Sequence, residues 1–541
     1  MDAITRVPPP VNEPVHDYAS HSAERERLTA ALDALAGVPI DLPHVIAGVH
    51  RMGDGERIDV VAPHRHHQRL ATLSNATHTD AAAAIEAAMA ARDPWAHTPF
   101  EDRAAVLLRA ADLLAGPWRE TLAAATMLGQ SKSAYQAEID APCELVDFWR
   151  FNVSFAQHIL ARQPASTGGV WNRLDYRPLD GFVYAITPFN FSAIAGNLPT
   201  APALMGNTVV WKPSITQSLA AHHTMRLLQE AGLPPGVINL VAGDGYAVSE
   251  VALSDPRLAG IHFTGSPPTF QHLCREVGAN IASYHSYPRI VGETGGKDFV
   301  VAHASAQPDV LRTALIRGAF DYQGQKCSAA SRAFIPHSVW RAMGDEFLDQ
   351  TAALRYGDIT DLSNYGGALI DARAFAKNVA AIERAKSSAA LTVAVGGTYD
   401  DREGYFVHPT VLLSDDPADE AFTREYFGPI LAIHVYPDAD YERILDVVDT
   451  GSAYALTGAV IADDRNAIAA AAQRLRFAAG NFYINDKPTG AVVGQQPFGG
   501  SRGSGTNDKA GSELNLLRWT SPRSIKETFV PPTAHGYPHM A

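Results

Sequence analysis

Residues 181–191 read GFVYAITPFNF, an apolar run that begins after a glycine and ends at a proline. A run of this length predicts a buried strand followed by a turn. Helices and strands then alternate: we predict a helix over 192–204, a strand over 208–211, a helix over 217–231, a strand over 237–241, a helix over 246–253, a strand over 260–263 and a helix over 268–277. This alternation predicts βαβ units on a parallel sheet, whose ligands bind at the carboxyl ends of the strands.

A second α/β run follows in the C-terminal half of the chain. We predict its strands at 298–301, 332–335, 429–433 and 480–485. The glycine-rich crossover 292–297 marks a domain boundary. The predicted fold class is therefore α/β, with the two or three domains expected of 541 residues.

Before residue 181 the sequence predicts a proline-rich arm and a set of helices. The helices are predicted at 24–35, 79–91, 101–115 and 118–127, where alanine and leucine favour this structure. The polar patch Pro63-His64-Arg65-His66-His67 lies between them. We interpret it as a solvated loop in preference to a metal site.

The overall charge and the cysteine count exclude several classes of protein. The formal net charge is -14, which gives no electrostatic attraction to nucleic acid or to an anionic membrane. The cysteines Cys143, Cys274 and Cys327 form no disulfide framework and are typical of a reducing compartment. The N-terminus lacks the apolar core of a secretory signal, and no run of about 18 apolar residues occurs. We therefore expect a cytoplasmic protein.

One cysteine has the surroundings of a nucleophile. The stretch Gly324-Gln325-Lys326-Cys327-Ser328-Ala329-Ala330-Ser331-Arg332 places it beside a lysine, among small residues. A neighbouring cation or a helix N-terminus can lower the pKa of a thiol from about 8.5 and favour the reactive thiolate. The alternative is an inert, buried thiol. The polar and glycine-bearing surroundings of Cys327 favour the nucleophile.

Two further residues could assist such a nucleophile. Glu293 stands beside glycines, and a partly apolar cleft would raise the pKa of its carboxyl and make it a general base. Asn190 follows the strand at 181–187, where its side-chain N–H could join a backbone N–H in an oxyanion hole. The simpler alternatives are a capping residue for Glu293 and a turn residue for Asn190.

Several segments carry chemistry suited to a dinucleotide, although the fingerprint G-x-G-x-x-G is absent. Gly265 and Ser266 stand at a helix start, where backbone N–H groups favour a pyrophosphate. Lys212 ends a strand and could bind ribose hydroxyls or phosphate. Glu425 offers a carboxylate to ribose hydroxyls, and Phe427 offers a ring to a flat ligand. Taken singly, these residues are also explained as a helix cap, a solvated lysine and a loop.

Taken together and in this order, the segments resemble the aldehyde dehydrogenase superfamily. The resemblance rests on Pro188-Phe189-Asn190, Trp211-Lys212-Pro213-Ser214, Phe263-Thr264-Gly265-Ser266, Glu293-Thr294-Gly295-Gly296-Lys297, Gly324-Gln325-Lys326-Cys327 and Glu425-Tyr426-Phe427-Gly428-Pro429. Residues 12–15, 136–140 and 485–509 extend it over nearly the whole chain. They resemble the subfamily that oxidises L-glutamate γ-semialdehyde, the open form of 1-pyrroline-5-carboxylate, to L-glutamate in the second step of proline catabolism.

The resemblance implies a role for each candidate residue. Cys327 attacks the aldehyde to give a thiohemiacetal, Asn190 and the backbone N–H of Cys327 hold the oxyanion, and hydride transfer to NAD leaves a thioester that a water activated by Glu293 hydrolyses. The residues implied for the cofactor are Thr187, Lys212, Ser214, Gly265, Ser266, Glu425 and Phe427. Ile215 stands where many members have a glutamate, which weakens the usual ribose clamp, and we expect NAD in preference to NADP.

The resemblance also implies a substrate site. The residues concerned are Phe191 and Phe498 for the aliphatic chain, Glu138 for the ammonium, and Ser328, Gly490 and Ala491 for the α-carboxylate. Some relatives have a serine at the position of Ala491. The contact of Ala491 with the substrate therefore rests on backbone N–H groups.

The family's organisation implies five segments. They are an N-terminal arm and the helical part of the NAD-binding domain (1–165), an oligomerisation flap (166–180), a Rossmann-type NAD-binding domain (181–292), a catalytic domain (293–495), and a return segment with an oligomerisation tail (496–541). We expect a homodimer or higher homo-oligomer and a separate proline dehydrogenase as a partner in the pathway. We expect no metal, nucleic acid or membrane among its partners.

Two alternatives stay open. The chain could be another NAD(P)-dependent aldehyde dehydrogenase that acts on a different small aldehyde. It could also be a catalytically silent binding protein, since a fold alone does not fix a function. The presence together of Cys327, Glu293 and Asn190 favours an enzyme, and a comparison of glutamate semialdehyde with succinate semialdehyde and propanal would identify the substrate.

Overall fold

The computed structural model describes residues 4–540. The α-helices are α1 (Ala23–Gly37), α2 (His78–His97), α3 (Phe100–Ala115), α4 (Arg119–Gln130), α5 (Ala134–Glu138), α6 (Leu145–Leu160), α7 (Ser192–Leu204), α8 (Ser218–Glu230), α9 (Gly245–Ser254), α10 (Pro267–Ala279), α11 (Pro308–Phe320), α12 (His337–Ala352), α13 (Ala372–Ser387), α14 (Glu420–Thr423), α15 (Tyr441–Thr450), α16 (Arg465–Arg474) and α17 (Glu513–Leu517). A π-helical segment, Ile139–Glu144, joins α5 to α6, and the turn Asp321–Gly324 follows α11. The helices predicted from the sequence are all present.

The strands form two large sheets and smaller ones. They are β1 (Ile40–Leu42), β2 (His44–Ile46), β3 (Val49–Arg51), β4 (Arg57–Ala62), β5 (Arg65–Ser74), β6 (Val170–Arg177), β7 (Phe182–Thr187), β8 (Thr208–Pro213), β9 (Ile238–Leu240), β10 (Leu258–Thr264), β11 (Arg289–Glu293), β12 (Asp298–Ala302), β13 (Ala330–Pro336), β14 (Thr392–Val395), β15 (Tyr399–Asp400), β16 (Phe406–Val407), β17 (Thr410–Leu413), β18 (Ile430–Tyr436), β19 (Tyr454–Ala455), β20 (Thr457–Ile461), β21 (Asn481–Ile484), β22 (Ser501–Arg502) and β23 (Ser521–Thr528).

The first large sheet has the order β11-β10-β7-β8-β9-β2-β3. Strands β7 to β11 run parallel, which confirms the predicted βαβ units. The chain moves outward from β7 through β8 to β9, and then returns to the other side of β7 with β10. This reversal opens a crevice at the carboxyl ends of β7 and β10, where Thr187 and Thr264 lie.

The second large sheet has the order β14-β17-β18-β13-β12-β20-β21, and only β14 is antiparallel to its neighbour. It contains the four strands predicted in the C-terminal half, as β12, β13, β18 and β21. The prediction missed β20, whose sequence includes Gly458. A Cβ atom there would lie 2.1 Å from the Phe299 ring, so glycine is required for the two strands to pack side by side.

The N-terminal part contributes strands as well as helices, which the sequence did not predict. The hairpin β2–β3 extends the first sheet through the pairing of Val45 with Leu240. Its turn uses Ala47 and Gly48, both with positive φ. Strands of three residues are too short to show an alternating pattern, which explains why they escaped detection.

The interpretation of residues 63–67 as a solvated loop is wrong, because residues 65–67 begin strand β5 and His64 is buried. This side chain lies at the turn between β4 and β5 and is only 1% exposed. Its Nε2 lies 3.6 Å from Asp358 Oδ1, and burial lowers the pKa of the imidazole to about 4. Among residues 4–540, no group of three or more histidines, cysteines, aspartates and glutamates is arranged to hold a metal ion.

Both large sheets are buried on both faces. The neighbouring residues Val209 and Val210 of β8 point into two different apolar clusters, as do Val300 and Val301 of β12. Full burial of such a side chain contributes about 1.5–3 kcal/mol. The sheets are thus rigid supports for the loops at their strand ends. No helix within residues 4–540 is both long and apolar enough to span a bilayer.

Candidate active site

Cys327 lies on a loop whose backbone is held in an uncommon conformation. Tyr322 and Gln323, just before it, have φ values of 50° and 54°, in the left-handed region. The Gln323 side chain donates to the carbonyls of Ser131 (3.0 Å) and Ala368 (2.7 Å). Residues in this region persist only where their surroundings fix them. The loop that carries the thiol is therefore positioned by contacts from distant parts of the chain.

The environment of the thiol keeps it protonated in the resting protein. Burial raises the pKa of Cys327, and the negative charges of Asp298, Glu293 and Glu425 raise it further. The adjacent Lys326 is buried, and its Nζ lies 3.9 Å from Asp321 Oδ2. Burial also lowers the pKa of the Lys326 ammonium to about 8. The sequence-based idea that a neighbouring cation lowers the pKa of the thiol is thus not supported.

This raised pKa makes the reactivity of Cys327 pH-dependent in a defined direction. The thiolate is the form that reacts with an alkylating agent, and its fraction grows with pH until the pKa is passed. We expect the iodoacetamide alkylation rate of the Cys327 peptide, followed by mass spectrometry, to rise steadily up to about pH 9. A rate that levels off below about pH 8 would show that the thiol has a low pKa.

Glu293 ends β11 and faces the same space as Cys327. Its Oε2 accepts a hydrogen bond of 3.1 Å from the N–H of Gly500. A Cβ atom on Gly499 would come within 2.9 Å of Glu293 Oε1, so a glycine is needed beside the carboxyl. Burial raises the pKa of Glu293 well above its ordinary value. This is the property of a general base that works near neutral pH.

Asn190 lies close to the cysteine loop. Its side chain is 4% exposed, and Nδ2 donates to the carbonyl of Gln325 at 3.2 Å. Gln325 stands two positions before Cys327. One amide hydrogen of Asn190 is used in this contact, which leaves the other for a ligand beside the thiol.

A single cavity of about 700 Å³ joins two of the catalytic candidates, Cys327 and Glu293, to most of the substrate candidates. The predicted residues that line it are Cys327, Glu293, Phe191, Phe498, Ser328, Gly490 and Ala491. Ser328 Oγ is hydrogen-bonded to Thr489 Oγ1 at 2.7 Å, which ties the cysteine loop to the segment that carries Gly490. Gly490 has a φ of 94°, a conformation that favours glycine.

Glu138 does not line this cavity, and its predicted role is wrong. The side chain is 0% exposed and is bound by Arg119. Its Oε1 also accepts from the backbone N–H of His16 at 2.9 Å, and its Oε2 accepts from the hydroxyl of Tyr18 at 2.7 Å. Both carboxylate oxygens are thus used inside the protein, and no ligand can reach them.

Glu144 is a carboxylate that does face the cavity, and the sequence analysis missed it. It ends the π-helical segment and lines the cavity. Burial raises the pKa of Glu144 well above its ordinary value, and the negative charge of Asp140 raises it further. The signal that could have identified it is position: π-helical segments occur often at functional sites, and this one ends at Glu144, six residues beyond Glu138.

The cofactor candidates at the first sheet lie at the carboxyl edge. Thr187 Oγ1 accepts from Trp211 Nε1 at 3.0 Å, and the backbone N–H of Ser214 donates to the Thr187 carbonyl at 3.1 Å. Lys212, at the end of β8, faces Gly245 at the start of α9. Burial lowers the pKa of its ammonium to about 8, against the attraction of Asp244. A desolvated ammonium at this edge fits the hydroxyl and phosphate oxygens of a nucleotide.

The remaining cofactor candidates border the same crevice. Gly265 follows β10, and Ser266 caps α10 by accepting from the N–H of Thr269 at 3.3 Å. Glu425 accepts from the N–H of Gly296 at 2.9 Å, and a Cβ on Gly295 would fall 2.3 Å from its carboxylate oxygens. A glycine pair thus holds the Glu425 carboxylate in a cradle that a larger residue would fill.

Phe427 is held in a left-handed conformation, with a φ of 56°. Its ring packs edge-on against Phe189, with 5.7 Å between ring centroids. Phe189 precedes Asn190, so the aromatic pair lies beside the oxyanion candidate. The residues present therefore fit a dinucleotide that runs from the edge of the first sheet to the thiol.

Comparisons with known proteins agree with this arrangement. The model of the family described as "Aldehyde dehydrogenase family" matches residues 50–525. The mitochondrial delta-1-pyrroline-5-carboxylate dehydrogenases of Dictyostelium discoideum and Homo sapiens are 47% and 46% identical to this chain, over 99% and 98% of it and 97% and 94% of their own lengths. The crystal structure of the delta-pyrroline-5-carboxylate dehydrogenase from Mycobacterium tuberculosis bound with NAD is 78% identical, covers 100% of both chains and has a TM-score of 0.97.

Proposed function

The chain belongs to the aldehyde dehydrogenase family, and from this premise we propose that it is a 1-pyrroline-5-carboxylate dehydrogenase. It oxidises L-glutamate γ-semialdehyde to L-glutamate with NAD, in the degradation of proline. The observation that carries the proposal is the single cavity, which has a thiol and a buried carboxyl at one part and polar groups suited to an amino acid at another.

Substrate recognition uses the part of the cavity away from the thiol. The backbone N–H groups of Gly490 and Ala491 and the hydroxyl of Ser328 bind the α-carboxylate. The rings of Phe191 and Phe498 enclose the aliphatic chain. Glu144 takes the place first assigned to Glu138 and faces the ammonium, because its desolvated carboxylate gains a charge partner when the substrate binds.

Catalysis begins when the thiol of Cys327 loses its proton to solvent, and the resulting thiolate adds to the aldehyde carbon. The carbonyl oxygen becomes an oxyanion, and the free amide hydrogen of Asn190 and the backbone N–H of Cys327 stabilise it, each donor accelerating the step by about 10²–10³-fold. NAD, when bound, accepts the hydride that leaves this carbon. The resulting thioester on Cys327 is then hydrolysed by a water from which Glu293 removes a proton, which releases the carboxylate product and the thiol.

The cofactor residues would hold NAD with its nicotinamide toward the thiol. Lys212 and Glu425 would bind ribose hydroxyls, and Phe427 would pack beside the nicotinamide. Gly265 and Ser266 would face the pyrophosphate at the start of α10, where the helix dipole favours negative charge. Thr187 and Ser214 complete the edge of the sheet. The desolvated ammonium of Lys212 and the glycine cradle of Glu425 support this assignment.

The assembly and location of the protein are part of the proposal. Strands β6 and β23 form an antiparallel ribbon, and Trp171, Phe529 and Val530 on or beside it are exposed. Apolar side chains exposed together support a homodimer or higher homo-oligomer built through this ribbon. A separate proline dehydrogenase would supply the substrate. The sparse cysteines support a cytoplasmic location.

Removing the charge of Glu144 tests the substrate assignment. We expect the wild-type protein to favour glutamate semialdehyde over 5-oxopentanoate, which is the same aldehyde without the ammonium, by about tenfold or more in kcat/KM. Glu144→Gln should raise the KM for glutamate semialdehyde about tenfold and leave 5-oxopentanoate nearly unchanged. Equal use of the two aldehydes and of propanal by the wild-type protein would contradict the proposed substrate.

A further inference from the structure

The N-terminal arm, residues 4–22, runs across the substrate cavity. Asn12, Glu13 and Val15 line the cavity together with Gly490 and Val493. The segment Asn12-Glu13-Pro14-Val15 contributed to the sequence resemblance, but the reaction described above gives it no task. Its contacts show what it does.

The arm is fastened by buried charged groups. The two oxygens of the Glu13 carboxylate accept from Arg119 at 2.6 Å and from Arg150 at 2.7 Å. Arg119 also donates to the carbonyl of Pro14 at 2.7 Å. Glu138 binds the backbone N–H of His16 and the hydroxyl of Tyr18, which explains why this carboxylate is turned away from the cavity.

Asn12 joins this fastened arm to the segment that binds the α-carboxylate. Its Nδ2 donates to Asp147 Oδ2 at 2.7 Å and to the carbonyl of Val493 at 2.8 Å. Its Oδ1 accepts from Gln495 Nε2 at 3.0 Å. Asp147 is 4% exposed, and its Oδ1 accepts from the backbone N–H of Glu13 at 2.7 Å. One amide therefore links helix α6, the arm and the loop 490–495.

Apart from the burial of Val493 and a hydrogen bond of 2.9 Å from the Val492 N–H to Gln496 Oε1, the loop is held by contacts at its two ends. Ser328 holds it at Thr489, before Gly490, and Asn12 holds it at Val493, after Ala491. Gly490 has a positive φ, and a glycine restricts its own backbone least of all residues. The direction of the Gly490 and Ala491 N–H groups thus depends on the two ends of the loop.

We propose that Asn12 is a positioning residue for substrate specificity: it fixes the loop 490–495 so that the Gly490 and Ala491 N–H groups converge on the carboxylate of the substrate. The inference rests on the proposed function. The positioning role requires an asparagine at position 12, because the side-chain amide must donate two hydrogen bonds and accept one. The two acceptors, Asp147 and the carbonyl of Val493, both lie on the Nδ2 side of the amide.

The isosteric variant Asn12→Asp, with Asn12→Ala beside it, tests the inference. Aspartate has the size of asparagine but would direct an oxygen at the Asp147 carboxylate and the Val493 carbonyl. We expect both variants to raise the KM for 5-oxopentanoate about tenfold or more, and to leave kcat/KM for pentanal, which lacks the carboxylate, within about twofold. L-glutamate binding to the full-length protein, measured by calorimetry, should weaken by a similar factor.

The matched control is Asn466→Asp, which makes the same charge change on an exposed side chain at the start of α16. It should leave all three measurements unchanged. If the variants at Asn12 lower the activity with pentanal and 5-oxopentanoate equally, the arm has only a structural role and the inference is wrong. Tighter substrate binding in Asn12→Asp alone would also overturn it, because the added charge would then act on the ammonium directly.

Failure of the proposed function is a separate outcome. If the wild-type protein does not favour 5-oxopentanoate over pentanal, the cavity does not recognise a carboxylate at all. If the wild-type protein prefers 5-oxopentanoate to pentanal and Asn12→Asp keeps this preference, the proposed function is supported and the proposed role of Asn12 is wrong.

Discussion

Replacing Cys327 with alanine should abolish aldehyde oxidation, with kcat lowered by at least about 10⁴-fold. The variant has no group on the cysteine loop that can form the covalent intermediate, because Lys326 is buried next to Asp321 and Ser328 is hydrogen-bonded to Thr489. NADH formation at saturating glutamate semialdehyde measures the loss. NAD binding, measured by calorimetry, should persist, because the residues proposed for the cofactor are unchanged.

The chain supplies its own control for this experiment. Cys274 lies on α10, outside the residues that line the cavity. Cys274→Ala should keep at least about half of the wild-type kcat, since a substitution away from the site removes no group that acts in the reaction. Turnover by Cys327→Ala close to that of the wild-type protein would refute the covalent mechanism, and loss of NAD binding in this variant would show that the alanine had disturbed the fold.

Replacing Glu293 with glutamine should slow thioester hydrolysis by about 10²–10⁴-fold and leave hydride transfer fast. Glutamine has the same shape and can still accept from the N–H of Gly500. It fits the space that Gly499 leaves, but it cannot remove a proton from water. A rapid-mixing experiment should show a burst of about one NADH per site, followed by slow turnover.

Glu276→Gln is a matched control, because Glu276 is a partly exposed carboxylate on α10 and lies outside the cavity. It should show wild-type turnover. If Glu293→Gln lost the burst as well as the turnover, Glu293 would be needed before hydride transfer, and its role as the base of the hydrolytic step would be contradicted.

Much of the fold could be predicted from local patterns, because long apolar runs alternate with helical segments from residue 181 onward. Helix α7 was predicted with its bounds, Ser192–Leu204. Patterns failed where structure depends on contacts between distant segments. The hairpin β2–β3 is stable only because it pairs with β9, and its six residues contain no signal of their own.

The catalytic candidates could be singled out from the sequence because each stands in a short, distinctive motif. Glu138 is a residue for which motif-based reasoning gave the wrong role. A carboxylate near a motif can turn inward or outward, and the side that it faces depends on its partners: Arg119, the His16 backbone and Tyr18 hold Glu138 inward. The π-helical segment turns Glu144 toward the cavity instead. Neither partner set can be inferred from the spacing of the residues.

The left-handed residues before Cys327 have a consequence for how the active site forms during folding. Gln323 is fixed by carbonyls of Ser131, at the end of α4, and Ala368, in the catalytic half, while the hydroxyl of Ser131 accepts from the N–H of Ala368 at 2.8 Å. This set of hydrogen bonds requires residues from both halves of the chain. The nucleophile is therefore set in its catalytic position only when the two halves of the chain have folded against each other.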